Sequence, residues 1–162
     1  MPHGRLDAID QKILATLQED GRLANVELAA RVGLSPSACL RRVNVLESEG
    51  YIEGYTARLS PRKLGLGVLA FAQVQVAQDS ESATATFTGT VGAMPEVLAC
   101  YATAGAFDYM LKIVASDLDA YENLVMKRLL KVSGVREVRS TFVLEPVKEV
   151  TGLPILGLAP KD

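Results

Sequence analysis

Val32-Gly33-Leu34-Ser35-Pro36-Ser37-Ala38-Cys39-Leu40-Arg41-Arg42-Val43-Asn44-Val45-Leu46 ends one helix and begins another. Gly33 stops the first, because glycine supplies the backbone freedom of the turn. Ser35 is a cap residue and Pro36 sits at the first helical position of the next, where its missing N–H costs nothing. That next helix carries Cys39, Leu40, Val43 and Leu46 and runs to Gly50. Upstream, Asn25 is a cap candidate for a helix bearing Val26, Leu28, Ala29 and Val32. Before it, Asp7 caps a helix whose apolar series is Ile9, Ile13, Leu14, Leu17, closed by Gly21. Three short helices with a Gly-Leu-Ser turn between the second and third outline a helix-turn-helix. Ala29 fits the same motif, since a small residue lets two helices cross closely.

Downstream the grammar changes. Tyr51-Ile52-Glu53-Gly54-Tyr55 reads as a short strand or wing, and Ser60-Pro61 marks a break. From Val68 to Val76 the chain alternates in a strand-like way. Residues 80–93 give a weak helix signal through Phe87 and Val91. Val97 to Thr103 reads as a strand, Gly105-Ala106-Phe107-Asp108 as a turn, and Tyr109 to Ala115 as the returning strand. Asp117 caps a helix with Leu118, Tyr121, Leu124, Val125 and Leu129, and Val135 to Val143 is a last strand. The order β-α-β-β-α-β is the split βαβ, or ferredoxin-like, arrangement. The fold class is therefore α+β: a helix-turn-helix with a short strand or wing after it, followed by a ferredoxin-like domain. The expected division is 1–54 for the helix-turn-helix, 55–66 for a hinge strand or linker, 67–150 for the second domain, and 151–162 for an extended tail.

Composition narrows the function. The 162 residues carry 17 Lys+Arg against 19 Asp+Glu, and 49% are hydrophobic, enough for a packed core and too many for a disordered chain. No apolar run approaches the roughly 18 residues of a membrane span. The opening Met-Pro-His-Gly-Arg has no apolar signal region, which reads as a cytoplasmic protein without membrane attachment. Cys39 and Cys100 are too few for a disulfide framework, and no Cys/His cluster suits a metal. Cys39 reads as a small buried hydrophobe. The lone histidine, His3, stands near the N-terminus and none lies in the second domain, so no nucleophile–base pair or catalytic residue is expected.

On a helical wheel Cys39, Val43 and Leu46 share one face, with Leu40 beside them, and should pack on the first two helices. Ser37, Ala38, Arg41, Arg42, Asn44 and Val45 fall elsewhere. Between Ser35 and Leu46 there are two arginines and no acid. That face suits the DNA major groove: arginine pairs with guanine edges, asparagine with adenine, and Ser35 or Ser37 at the helix start can hold a phosphate. Residues 1–59 hold seven Lys/Arg and eight Asp/Glu, so the segment is not basic overall. A monomer would then bind poorly, whereas a dimer presenting two such helices about one DNA turn apart would bind well.

These residues resemble the Lrp/AsnC (leucine-responsive regulatory protein/asparagine-operon activator) family of bacterial and archaeal transcription regulators. The resemblance rests on Leu6–Asp10, Asn25–Ala29, Val32–Val43, Leu46–Ile52, Gly105–Tyr109 and Ser133–Val135, in order and over nearly the whole chain. It implies an N-terminal DNA-binding domain joined by a hinge strand to a ligand-sensing and oligomerisation domain. It further implies dimers assembling to octamers or related rings on double-stranded DNA, an amino acid as effector between dimers, and no other cofactor. The implied effector site lies at Tyr101, Thr103, Gly105, Ala106, Phe107 and Asp108. Asp108 could take the ligand ammonium, and Thr103 with backbone N–H groups around Gly105 its carboxylate; Asp108 could instead cap the turn with its own backbone. Ala106 stands where the family often has a polar or acidic residue. The tail residues Leu153, Pro154 and Ile155 would be an assembly contact. An architectural DNA-compacting protein with little ligand response would use the same helix-turn-helix.

Overall fold

The computed structural model describes residues 6–77, 81–148 and 152–155. His3 and the tail beyond Ile155 lie outside them. The chain divides into two compact units, Met1–Arg58 with Lys148–Asp162, and Leu59–Val147.

The first unit contains α1 (Ala8–Glu19), α2 (Asn25–Val32) and α3 (Pro36–Ser48). The Asp7 carboxylate accepts from the N–H groups of Ile9 at 2.9 Å and Asp10 at 2.8 Å, and Asp10 reaches back to Asp7 N at 3.3 Å. Two orphan donors of the first turn are thus satisfied reciprocally. α2 starts one residue earlier than its apparent cap: Ala24 is the N-cap and Asn25 is already helical. Asn25 is used across the turn instead, its Nδ2 donating to Pro36 O at 2.8 Å. Gly33 has φ 77, the left-handed region that a side chain would strain, and lets Leu34 N reach Ala29 O at 2.9 Å. Ser35 Oγ accepts from Ala38 N at 3.3 Å, with Pro36 in the first turn, as the sequence suggests. Ile13, Leu14, Leu28, Ala29, Val32, Cys39 and Leu46 form the buried core. Residues 51–59, read as a wing or hinge strand, join no ladder of this chain. A strand needs a partner edge, and the described residues of this chain offer none. Tyr51 and Ile52 instead donate to Leu46 O at 2.9 and 3.2 Å, closing the end of α3.

The tail returns to this unit. Gln18 Nε2 donates to Leu153 O at 3.1 Å, and Gln18 Oε1 accepts from Leu153 N. Ile155 packs against the helical core. Of the three tail residues expected at an assembly contact, Ile155 is partly buried within its own chain and Leu153 stays 76% exposed.

The second unit is a four-stranded antiparallel sheet in the order β2-β3-β1-β4, from β1 (Val68–Val76), β2 (Val97–Ala102), β3 (Tyr109–Ala115) and β4 (Val135–Phe142). Helices α4 (Glu81–Gly92) and α5 (Leu118–Lys127) connect them. On β1 the residues Ala70, Ala72, Val74 and Val76 are buried, facing Phe87 and Val91 of α4 and Tyr121, Leu124 and Val125 of α5. The small alanines at mid-strand let the helices seat closely. α4 is barely amphipathic in sequence, yet Phe87 is fully buried, its ring 4.7 Å from that of Tyr109. Tyr121 donates its hydroxyl to Ser140 Oγ at 2.7 Å, which satisfies the one polar atom it carries into the core. α5 stops at Lys127, and Leu129 belongs to a short 3₁₀ turn. The opposite sheet face carries Leu69, Phe71, Met110 and Val114, outside that core.

Candidate nucleic-acid interface and effector turn

The face of α3 turned away from the core is a row of Ser37, Arg41, Asn44 and Ser48 flanked by Leu40 and Val45. Together they border an open concavity of about 570 Å³. All six are exposed, and none is acidic. Ser35 is exposed at the helix start with its hydroxyl capping Ala38 and 3.3 Å from Ser37 Oγ; Ala38 is half-buried.

One expectation about this helix is corrected, and one residue of its expected DNA face has partners within the chain. Leu40, expected beside the buried stripe, is 50% exposed, because the Cys39–Val43–Leu46 face already fills the space against α1 and α2. Arg42, expected on the DNA face, is turned to the start of α1. Its Nη1 donates to Asp7 Oδ2 and to Asp10 Oδ1, each at 2.7 Å. The guanidinium thus joins the cap of α1 to the middle of α3. Glu47 also has a partner, the Tyr55 hydroxyl donating to it at 3.0 Å. Neither pairing follows a spacing rule, since the partners of Arg42 lie 35 and 32 residues away.

The Asp7 carboxyl lies below its ordinary value of 3.8, held there by the Asp10 N–H, by Arg42 and by the Ile9 N–H, against an opposing effect of burial. A folded-state value that is lowered gives stability present above the ordinary value and lost as pH falls through the folded one. The first unit is therefore expected to lose melting temperature as pH drops below about 4, beyond the loss seen in Asp7→Asn, which keeps a capping oxygen without the titration. Circular-dichroism melts of both proteins between about pH 5 and pH 2 check this; parallel curves would contradict it.

In the second unit, residues 103–108 turn between β2 and β3. Thr103 N donates to Asp108 O at 2.8 Å, and the Thr103 hydroxyl donates to Phe107 O at 2.7 Å. Asp108 N donates to Val74 O at 3.0 Å, while Asp108 Oδ2 accepts from Val76 N at 2.8 Å. Asp108 therefore ties the turn to the end of β1. The Thr103 proton thus goes to the turn's own carbonyl, and one Asp108 oxygen braces backbone. Gly105, at φ 150, and Ala106 form the exposed tip. Phe107 is half-buried beneath the Arg139 guanidinium, 4.9 Å from the ring centroid, a neighbour the sequence did not indicate. Tyr101 stands apart on the edge strand, 58% exposed. Cys100 is also exposed, and burial pushes the Cys39 thiol up from its ordinary value. Among the described residues no group of three or more His, Cys, Asp or Glu could hold a metal ion, and no helix is long and apolar enough to cross a membrane.

Two family models match the chain. One describes a winged helix-turn-helix DNA-binding domain and covers residues 6–53; the other describes an Lrp/AsnC ligand binding domain and covers residues 69–153. The leucine-responsive regulatory protein of Escherichia coli K12 is 42% identical over 154 residues, which is 95% of this chain and 94% of that protein. The crystal structure of a transcriptional regulator from Neisseria meningitidis in complex with L-methionine is 44% identical, with TM-score 0.92, covering 95% of this chain and 99% of the other. A feast or famine regulatory protein from M. tuberculosis, complexed with L-methionine, is 34% identical, with TM-score 0.79, covering 89% of this chain and 95% of the other.

Proposed function

This chain belongs to the Lrp/AsnC family of transcription regulators, and from that premise we propose that it binds operator DNA as a dimer and responds to an amino acid bound between dimers. It is a DNA-binding regulator with an amino-acid-binding domain. The observation that carries the finer reading is the acid-free exposed face of α3, with Arg41 and Asn44 at its centre. Ser35 and Ser37 meet phosphate at the helix start, where backbone N–H groups and the helix dipole favour an anion. Ala38 and Val45 complete the contact surface, and Arg42 orients the helix from behind.

Dimerisation follows from the same need. One α3 neutralises few phosphates, and affinity rises steeply with the number neutralised. The sheet face with the half-buried Leu69, Phe71 and Met110, set among Gln73 and Lys112, is the surface this reading uses for self-association. The effector reading rests on the 103–108 turn. Tyr101, Thr103, Gly105 and Ala106 are exposed, so a ligand there needs a second protein surface to enclose it. Phe107 and Tyr101 give that ligand apolar contact, the Gly105 and Ala106 backbone meets its charged end, and Asp108 fixes the turn's shape. Methionine is the first candidate, since two relatives are solved with it. A bound effector shifts assembly only by its differential affinity for the states involved.

The test is a thermal-shift series with each proteinogenic amino acid, followed by fluorescence-anisotropy titration of a duplex from the chain's own promoter with and without the hit. A ligand that binds only the folded state at a hundredfold excess over its Kd adds about 2.7 kcal/mol of stability. Methionine is expected to raise the melting temperature and to change DNA affinity or assembly size. Salt-insensitive or absent DNA binding would overturn the DNA reading; no shift with any amino acid would overturn the effector reading.

A further inference from the structure

The apolar residues on the outer face of α3 call for an explanation. Leu40 is 50% exposed and Val45 46% exposed, on opposite flanks of the polar row Ser37, Arg41, Asn44 and Ser48. Neither belongs to the buried core of the first unit. A helix face built only to meet phosphate and hydrogen-bonding base edges gains nothing from two branched aliphatic side chains. In the major groove there is one apolar group for them to meet: the C5-methyl of a pyrimidine, carried by thymine and by 5-methylcytosine but not by cytosine or uracil.

We propose that Leu40 and Val45 read pyrimidine C5-methyl groups on either side of the bases contacted by Arg41 and Asn44. This rests on the DNA-binding reading of α3 above. The placement supports it. Side chains at 40 and 45 diverge from the helix axis on either side of the 37–41–44–48 row, so the two methyls lie to the two sides of the polar contacts. Arg41 draws the helix toward the anionic duplex, and the face between the flanks carries no acid to oppose it. On that flank Arg42 is held by Asp7 and Asp10, so its guanidinium is turned to α1 while Val45 stays 46% exposed. The assignment makes half-site composition a consequence of packing: a methylated pyrimidine at two positions, with hydrogen-bond readout between them.

The experiment starts from duplexes selected by the full-length protein out of a random-sequence library. The tightest is resynthesised with uracil in place of thymine, one position at a time, which removes the methyl and leaves every hydrogen-bonding edge intact. Binding is measured by anisotropy for the natural protein, Leu40→Ala and Val45→Ala. Burying one methyl corresponds to about a fourfold change in affinity, or about fifteenfold when both half-sites of a dimer are substituted. The natural protein is expected to lose about that much at two positions per half-site. Leu40→Ala is expected to abolish the uracil effect at one of them and Val45→Ala at the other, with melting temperatures unchanged because both side chains lie outside the core. A third duplex set places 5-methylcytosine·guanine at the sensitive positions. Restored binding shows that the methyl suffices whichever pyrimidine bears it; no restoration assigns the contact to thymine, and either result upholds the proposal. Equal binding of thymine and uracil duplexes, or a uracil effect that persists in both variants, overturns it while salt-sensitive binding keeps the DNA reading intact. Absence of salt-sensitive binding removes both.

Discussion

Arg41→Ala is expected to weaken operator binding by about 1–3 kcal/mol per half-site, the range for one well-formed arginine contact to a base. A dimer uses the residue twice, so the loss reaches about a hundredfold or more. The residue is exposed and central to the α3 row, and removing it disturbs no buried group, so melting temperature should hold. Arg42→Ala provides the contrast. Its guanidinium is held by Asp7 and Asp10, so its loss should lower the melting temperature of the first unit and leave the dependence of log K on log salt unchanged. Each of these partly exposed ion pairs contributes no more than about 1 kcal/mol. The measurement is a salt series of anisotropy titrations on both variants. A reduced salt slope in Arg42→Ala as large as that in Arg41→Ala would place Arg42 on the phosphate backbone and refute the assignment.

Asp108→Ala should carry the largest stability change in the 103–108 turn. The Val76 N–H loses its carboxylate acceptor, and a hydrogen bond to a charged group contributes about 1.5–3 kcal/mol. At roughly 4–8 °C per kcal/mol for a domain of this size, the second unit should melt about 6–24 °C lower. Asp108→Asn keeps an oxygen at the same place and should recover most of that loss. If Asp108 acts as a brace, Asn should also retain the methionine-induced shift. If it holds the ligand ammonium directly, Asn should lose the shift while remaining folded. Calorimetry of the two variants with and without L-methionine separates these outcomes.

What the sequence made legible was local. Asp7, Gly33 and Ser35-Pro36 act within one turn of where they stand, so their spacing alone places three helices. The alternation of Ala70, Ala72, Val74 and Val76 similarly marks a strand with one buried face. Phe87 and Val91 were enough for α4, although its remaining residues are small or polar. What was not legible depended on partners far along the chain. Arg42 reads like its neighbour Arg41 until Asp7 and Asp10 arrive beside it. Asp108 reads as a ligand contact or a turn cap, and its bond from the Val76 N–H of β1 belongs to neither reading. Leu40 sits at the margin of the apolar stripe, where a wheel cannot say whether the neighbouring helices reach. Residues 51–59 form no strand within this chain for a related reason: pairing is a property of two segments, and only one is in view.

The return of residues 152–155 to α1 changes what can be cut out of this protein. Residues 59–147 are an insertion in the DNA-binding unit, entered once and left once, rather than a second bead on a string. A fragment ending at Arg58 lacks the segment that pairs with Gln18 and the Ile155 side chain that packs on the helices. Such a fragment is a helix-turn-helix with part of its own wall removed, and its affinity and melting point describe that truncated object. A single proteolytic nick near residues 59–66 would leave the two pieces still joined through the second crossing, held by the strap alone.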